Sequence, residues 1–486
     1  METATRFRAS GNLTERSAIE LASAIRARET SAREVVEAHI EVLTRFGPRI
    51  NAVAVERFDG ARSDADTADA LVAETDDVES LPPLLGVPCT IKESIGVRGM
   101  PNCAGVVTRR EYCCDRTATA AQRLIDAGAI PLGLTNTSEL TLWVETENRV
   151  YGRTSNAYDP SRTAGGSSGG EGSAIGAGGS PLGLGTDLGG SIRLPAFFNG
   201  VFGHKPSLGL VPQTGHYPAV TGATTQLAVL GPLARRAEDL IPVLRVIAGP
   251  DGEDPIAREM ELGDPERVSL DGLRVVISEG ATLAPTSPEL AAARERAAGA
   301  LAAAGARLER VSMRSVRRAL EIYMAVLSTA AGVTLEELLT EAGASRLTWR
   351  AALRRGGPHT VATRVALVAE RLAARVPQRR ARRLVAARDA FVEELREKIG
   401  DGVLLHPPAP KVAPRHGRTV GRLWWIHPMI VFNLAAVPVT QVPLGLNDRG
   451  LPLGAQVAAG PGRDHVSIAV ALELERVFGG WHRPHG

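Results

Sequence analysis

Lysine is scarce in this chain of 486 residues, although basic residues are not. Of 56 basic side chains only four are lysines, at positions 92, 205, 398 and 411. Arginine keeps its proton in a protein, whereas a buried lysine can lose it. Each of the four lysines is therefore a candidate for chemistry that arginine cannot perform.

Long apolar runs and a strong excess of one charge are also missing. No run approaches the ~20 apolar residues that cross a bilayer, and the N-terminal METATRFRASGNLTERS has no apolar stretch typical of a secretory signal. The formal net charge of +2 gives no general attraction to nucleic acid or to membranes. With 44% hydrophobic and 23% charged residues, the composition is typical of a soluble globular protein.

Cysteine is sparse as well, with Cys89, Cys103, Cys113 and Cys114. Their spacing fits neither a zinc site nor a disulfide framework, so we expect reduced thiols and a cytoplasmic location. The ten histidines include no HExxH or other ligand spacing, and we predict no metal.

Glycine and serine are concentrated in residues 165–195, which read GGSSGGEGSAIGAGGSPLGLGTDLGGSIRLP. Ser167 and Ser191 each follow a Gly-Gly pair and lie 24 residues apart. Such pairs can present a hydroxyl on a sharp turn among free backbone N–H groups, which suits a nucleophile and an oxyanion hole. A flexible linker and a phosphate-binding loop are the alternatives. The apolar residues within the stretch favour a packed site, and the absence of lysine departs from the phosphate-loop pattern.

Strand-like and helix-like patterns alternate along most of the chain. Strands are predicted near 51–57, 86–94, 130–136, 181–187 and 273–279, with helices between them and a closing helix at 465–480. This alternation predicts a single α/β domain with a largely parallel, buried sheet.

Residues 346–388 hold twelve arginines and one acidic residue, Glu370. Two interpretations stay open. The segment is either a solvated surface helix pair or a basic amphipathic cap that contacts anionic lipid or an acidic partner. It lacks the interleaved aromatics that single-stranded nucleic acid would need, so we expect no nucleic-acid partner.

Lys92 ends the apolar stretch VPCTIK, 75 residues before Ser167. Desolvation would lower its pKa and make it a base near neutral pH. The alternative is a surface lysine at a strand end, or a partner for Glu93.

Three motifs carry a resemblance to a known family: GVPCTIKES around Lys92, GGSSGGEG around Ser167 and GTDLGGSIRLPA around Ser191. They resemble the amidase signature family of serine hydrolases, and most closely its type-2 fatty-acid amide hydrolases. The resemblance implies a Ser–Ser–Lys triad in which Ser191 is the nucleophile, Ser167 the bridging serine and Lys92 the base. It also implies a cis peptide between Gly166 and Ser167. The backbone N–H groups of Leu188, Gly189, Gly190 and Ser191 would form the oxyanion hole.

The same resemblance implies one amidase-signature domain over 1–486, with a central twisted mixed, largely parallel sheet covered on both faces by helices. Residues 85–230 would be the catalytic core, and the variable 250–420 would shape the pocket and cap. The expected reaction is hydrolysis of an acyl, fatty-acyl or aryl amide through an acyl-enzyme, without a cofactor. The oligomeric state stays open, and a homodimer is the state that the resemblance suggests. The alternatives are a glutaminase subunit of a tRNA-dependent amidotransferase and a catalytically silent membrane-surface protein.

Residues outside the triad are expected to have structural or pocket-lining roles. Asp187 and Arg193 are expected to fix the loop rather than to act in catalysis, and the spacing favours Ser167 over its neighbour Ser168. Four residues are candidate pocket residues, although aromatic side chains near a core more often serve packing: Thr141, Trp143, Phe197 and Phe198.

Overall fold

A single eleven-stranded mixed sheet runs through the molecule. The computed structural model describes residues 12–330, 332–345, 356–373 and 378–484. Parts of the arginine-rich segment, 346–355 and 374–377, therefore lie outside the described residues. No helix among those described is long and apolar enough to cross a membrane.

Thirteen strands and fourteen α-helices are described. The strands are β1 (Val53–Glu56), β2 (Pro88–Lys92), β3 (Ile130–Thr135), β4 (Glu147–Asn148), β5 (Gly152–Arg153), β6 (Leu182–Asp187), β7 (Phe202–Lys205), β8 (Val229–Ala234), β9 (Arg274–Glu279), β10 (Arg307–Ser312), β11 (Val403–His406), β12 (Val439–Leu446) and β13 (Pro452–Ala459). The helices are α1 (Ala18–Arg26), α2 (Ala32–Ile50), α3 (Phe58–Glu74), α4 (Thr119–Asp126), α5 (Gly169–Gly176), α6 (Arg193–Phe198), α7 (Leu240–Ile247), α8 (Pro288–Ala303), α9 (Ala319–Ala330), α10 (Leu335–Glu341), α11 (Val361–Ala373), α12 (Gln378–Ile399), α13 (His427–Ala435) and α14 (Asp464–Phe478).

The strand order of the main sheet is β1-β3-β2-β6-β8-β7-β12-β13-β11-β9-β10. Parallel pairs form two blocks, β3-β2-β6 and β11-β9-β10. The strands between these blocks pair antiparallel, and β1 is antiparallel to β3. The α/β fold with one large mixed sheet is confirmed, and the parallel pairing predicted from strand–helix alternation occurs in these two blocks.

Helices cover both faces of the sheet. On β9, Val275 and Ile277 contribute to one hydrophobic cluster, whereas Val276 between them contributes to another. Because successive side chains of a strand point to opposite faces, the two clusters lie on opposite sides. The first cluster packs against α1–α3, α8 and α14, and the second against α9, α12 and α13.

The predicted N-terminal helices begin at serine caps. Ser17 starts α1 and Ser31 starts α2, and each forms a reciprocal capping box with the glutamate three residues later. Such caps satisfy backbone donors that have no partner within the helix. The closing helix α14 is capped by the residue that follows it, Gly479, whose left-handed backbone (φ +82°) suits glycine.

Candidate active site

Lys92 is the last residue of β2, which lies between β3 and β6. Its side chain is fully buried. The Nζ atom donates hydrogen bonds of 2.7 Å to Ser167 Oγ and of 2.7 Å to Thr186 Oγ1. Thr186 belongs to β6, so the parallel pairing of β2 with β6 places the lysine between two hydroxyls. Thr186 was not singled out from the sequence, although it lies within the GTDLGGS motif.

Burial changes the acidity of this lysine. Desolvation lowers the pKa of Lys92 to about 7, although the carboxylates of Asp187, Glu171 and Glu93 act in the opposite direction. A lysine with such a pKa is substantially neutral at physiological pH. It can therefore accept a proton, as a general base must.

The two serine segments meet beside Lys92. The Gly166–Ser167 peptide is cis, as the resemblance implies. The Ser168 amide donates to the Ser191 carbonyl oxygen at 3.2 Å, which joins the segment of the bridging serine to that of the predicted nucleophile. The Ser168 hydroxyl interacts with the Thr186 backbone, at 3.4 Å from both its nitrogen and its oxygen. The structure thus brings the three predicted triad residues into one region, with Ser191 partly accessible to solvent.

Asp187, at the end of β6, organises the turn that leads to Ser191. Its carboxylate accepts hydrogen bonds from the backbone nitrogens of Gly190 (2.8 Å) and Ile192 (3.2 Å). The Gly190 N–H is therefore committed to Asp187 in this conformation. This finding corrects the expectation that all four amides from 188 to 191 face a substrate oxyanion.

The remaining three amides have no such partner. Within the described chain, the backbone nitrogens of Leu188, Gly189 and Ser191 donate to no protein acceptor. These three residues are also partly exposed, in contrast to the buried Gly190. Unpaired N–H groups next to a partly exposed serine suit the stabilisation of a developing oxyanion.

Arg193 anchors the same turn from the first position of α6. Its fully buried guanidinium donates to Asp187 Oδ1 at 2.9 Å and Oδ2 at 3.0 Å, and also to Gln456 and Asn433 at 2.7 Å each. Although burial opposes ionisation, Arg193 holds the pKa of the Asp187 carboxyl well below its usual range. Both residues make the loop-fixing contacts expected of them. The contribution of Asn433 and Gln456, far along the chain, was not anticipated.

Glu171, on α5, is a fully buried carboxyl close to Lys92. It accepts hydrogen bonds of 2.7 Å from the hydroxyls of Thr90 and Thr135. Burial raises the pKa of Glu171 to about 7, although both hydrogen bonds and the charge of Lys92 oppose this shift. Glu171 and Lys92 therefore influence each other's protonation. In the sequence, Glu171 was only a marker of the resemblance.

The four candidate pocket residues fall into two groups. Thr141 and Trp143 are half-buried in the segment that wraps the bridging serine, and Trp143 Nε1 donates to Thr419 Oγ1 at 3.1 Å. Phe197 and Phe198 are fully buried in the main hydrophobic cluster. Their placement is that of core packing, because solvent does not reach either ring.

Two carboxylates of this wrapping segment bind distant parts of the chain. Glu139 accepts hydrogen bonds from His359 Nδ1 (2.6 Å), the Thr360 backbone nitrogen (2.8 Å) and Thr363 Oγ1 (2.7 Å), just before and within α11. Glu145 accepts hydrogen bonds from the backbone nitrogens of residues 417 (2.8 Å) and 419 (3.0 Å). The segment 138–146 is therefore attached to the chain at 359–363 and at 417–419. It also contacts Ser167, whose carbonyl oxygen accepts a 3.4 Å hydrogen bond from the Ser138 nitrogen. Neither carboxylate was recognised from the sequence.

Known proteins are similar to this chain in both sequence and fold. A family model described as Amidase matches residues 34–467. Fatty-acid amide hydrolase 2-A of Danio rerio is 38% identical over 96% of this chain and 90% of its own. Fatty-acid amide hydrolase 2 of Homo sapiens is 37% identical over the same shares. Among solved structures, 6-aminohexanoate cyclic dimer hydrolase superposes with a TM-score of 0.82 at 26% identity, covering 96% of this chain and 98% of the other.

These matches extend over nearly the whole chain and include the segments that carry Lys92, Ser167 and Ser191. They confirm the family and the type-2 likeness predicted from the three motifs. The chain therefore belongs to the amidase family and is an amide-hydrolysing enzyme.

Proposed function

We propose that this enzyme hydrolyses acyl amides through a Ser191–Ser167–Lys92 relay and an acyl-enzyme intermediate. The observation that carries the proposal is the 2.7 Å contact between a fully buried Lys92 and Ser167, because burial leaves the lysine amine available as a base. Neutral Lys92 takes the proton of Ser167 as Ser167 takes that of Ser191. The Ser191 oxygen then bonds to the amide carbon, and negative charge develops on the substrate oxygen.

The second half of the reaction reverses the relay. Protonated Lys92 returns its proton through Ser167 to the amide nitrogen, and the carbon–nitrogen bond breaks to release the amine or ammonia. Water then loses a proton to the same relay and attacks the acyl carbon. The bond to the Ser191 oxygen breaks, the relay returns the proton to that oxygen, and the acid is released as its carboxylate. The free N–H groups next to Ser191 would stabilise both oxyanions, and losing one such donor typically costs about 100- to 1000-fold in kcat.

A hydrophobic acyl group is the substrate class best supported. The two vertebrate relatives are fatty-acid amide hydrolases. Half-buried apolar side chains also pack against the same hydrophobic cluster as Leu188, among them Leu320, Met324, Leu327 and Ile426. Comparing kcat/KM for primary amides with short and long acyl chains, an aryl amide and glutamine would test this. Preference for glutamine would favour the glutaminase alternative.

The nucleophile is tested by substitution and by labelling. Ser191→Ala should lose turnover while keeping the fold, and a fluorophosphonate should label Ser191 of the wild type. Ser173→Ala is the matched control. Ser173 lies on α5, the helix that follows the Ser167 turn, and in the described part of the chain its hydroxyl donates only to the Ser155 carbonyl oxygen. An adduct on Ser168, or retained turnover in Ser191→Ala, would overturn the assignment.

Peripheral contact with an anionic membrane is a second proposal, supported by the exposed face of α11. Val361, Val365 and Leu372 are 50%, 37% and 51% exposed, and their spacing places them on one side of the helix. Arginines accompany them in sequence, as in helices that lie on anionic lipid. Flotation with anionic vesicles at low salt should recover the protein, and Val365→Glu should reduce recovery. No binding at low salt would exclude this contact.

A further inference from the structure

The peptide that joins Leu188 to Gly189 is held from one side by a tyrosine. Tyr323 of α9 is 4% exposed, and its hydroxyl donates to the Leu188 carbonyl oxygen at 3.2 Å. A Cβ added at Gly189 would lie 2.9 Å from this hydroxyl, so the glycine packs directly against it. Tyr323 thus contacts the loop at the position of the unpaired amides.

The geometry of a trans peptide relates this contact to catalysis. The carbonyl and the N–H of one trans peptide point in opposite directions. With the Leu188 oxygen bound to Tyr323, the Gly189 N–H must point away from α9. This N–H has no acceptor within the described chain, as shown above. It is therefore free to face a substrate.

A second contact fixes the preceding peptide, Asp187–Leu188, in the same orientation. The Asn433 amide nitrogen, on α13, donates to the Asp187 carbonyl oxygen at 3.2 Å. Helices α9 and α13 pack together in the second hydrophobic cluster. Two consecutive carbonyls are thus bound by this helix pair, which directs the N–H groups of Leu188 and Gly189 away from it. Successive N–H groups that share a direction form a concavity that binds anions.

We propose that Tyr323 is a positioning residue for the oxyanion hole, which it serves by fixing the Leu188–Gly189 peptide. The proposal rests on the function proposed above, in which Ser191 attacks the amide carbon. Glycine at 189 allows the peptide plane to rotate easily. A rotated peptide would present a carbonyl oxygen, rather than an N–H, to the oxyanion. The tyrosine hydroxyl opposes this rotation without touching the substrate.

Tyr323→Phe removes only the hydroxyl and tests the proposal directly. Because the N–H acts on the transition state, we expect kcat to fall by at least about tenfold while KM changes by less than about twofold. A trifluoromethyl ketone, which forms a tetrahedral adduct with a serine, should bind more weakly by the factor lost in kcat. The affinity of the planar carboxylate product should not change.

Tyr158→Phe is the matched control. Tyr158 also donates its hydroxyl to a backbone carbonyl, that of His482, but at the C-terminal end of the chain. This variant should leave kcat and ketone affinity unchanged. An unchanged kcat in Tyr323→Phe, or a lowered kcat with full ketone affinity, would overturn the proposal.

Two further measurements distinguish a failure of the role proposed for Tyr323 from a failure of the proposed amide hydrolysis. The rate at which a fluorophosphonate reacts with Ser191 should fall in Tyr323→Phe, even if the wild type hydrolyses none of the amides tried. If the wild type is labelled but hydrolyses no amide, the proposed function is wrong, and the labelling rate of Tyr323→Phe still tests the role of Tyr323.

If Tyr323→Phe does not fold, Gly189→Ala replaces it as the test. Its Cβ would displace the Tyr323 hydroxyl, so it should show the same loss of kcat and ketone affinity. Normal values in Gly189→Ala would overturn the proposal.

Discussion

The Lys92 amine and the Ser167 hydroxyl lie 2.7 Å apart, and both side chains are almost completely shielded from solvent. Their burial sets the pH at which the proposed relay can work. Desolvation penalises only the charged form of the lysine, so the free base exists from neutral pH upward. Three predictions concern this base, its buried neighbour and the turn beside it.

The first prediction concerns the pH dependence of turnover. Since burial lowers the pKa of Lys92 to about 7, kcat/KM should rise with pH and level off above that value. Below it, the rate should fall by about tenfold per pH unit, in proportion to the deprotonated lysine. Lys92→Ala should lose about 100- to 10,000-fold at neutral pH, typical of a lost general base. Initial rates across the pH range would measure both effects.

Lys205 supplies the control for this profile. It is also fully buried, and desolvation lowers its pKa to about 7, but among the residues that the structure describes it donates only to the backbone carbonyls of residues 206 and 437. Lys205→Met should keep the acid limb of the profile. If the limb disappears in this variant and persists in Lys92→Ala, Lys92 is not the base.

The second prediction concerns the carboxyl beneath the lysine. The charge of Glu171 raises the pKa of Lys92, so Glu171→Gln should move the acid limb of kcat/KM to lower pH. Stability should change too. Burial raises the pKa of Glu171 to about 7, above its unfolded value, so the folded protein binds more protons than the unfolded chain between about pH 4.5 and 7. The wild type should lose stability as pH rises through this window, and the glutamine variant should lose less.

Glu475→Gln provides the comparison, because burial also raises the pKa of Glu475 to about 7 at a position on α14. Its substitution should alter the pH dependence of unfolding without moving the activity profile. Denaturant titrations at several pH values and the kinetic profile together would measure the two effects. An activity profile that shifts equally in both variants would contradict the coupling of Glu171 to Lys92.

The third prediction concerns the glycine before Ser191. Gly190 has a φ of +106°, and a Cβ there would lie 2.5 Å from Met429 Cγ. Gly190→Ala should therefore move the turn and misplace the neighbouring amides, with a loss in kcat of about 100-fold or more. Gly99→Ala is the control, because Gly99 also has a positive φ (+77°) but open space around it. It should cost some stability and no activity, and equal kinetic losses in both variants would contradict the packing argument.

The candidate triad could be predicted from the sequence because Lys92, Ser167 and Ser191 lie in short motifs that resemble those of the amidase signature family. Gly-Gly pairs precede Ser167 and Ser191, Lys92 ends an apolar strand, and the resemblance supplies the roles of the three residues. The alternating segments likewise predicted β2, which carries Lys92, and β6, which leads into the turn of Ser191. Such signals are local, so they are readable without knowledge of the tertiary structure.

The contacts that adjust the site could not be predicted in the same way. Tyr323 and Asn433 lie 135 and 246 residues from the loop atoms they bind. They come from helices that pack on the sheet, where a tyrosine or asparagine has no distinctive neighbours in sequence. The hydrogen bond from Gly190 to Asp187 was missed for another reason: the motif shows which amides lie near Ser191, but not which of them a carboxylate has already taken.

Glu139 and Glu145 make one short stretch of chain the attachment point for two distant segments. Glu139 binds the chain at 359–363 and Glu145 binds it at 417–419. Both attachments are made by residues 138–146, whose Ser138 nitrogen also donates to the Ser167 carbonyl oxygen. A displacement of either distant segment would therefore be transmitted to the bridging serine.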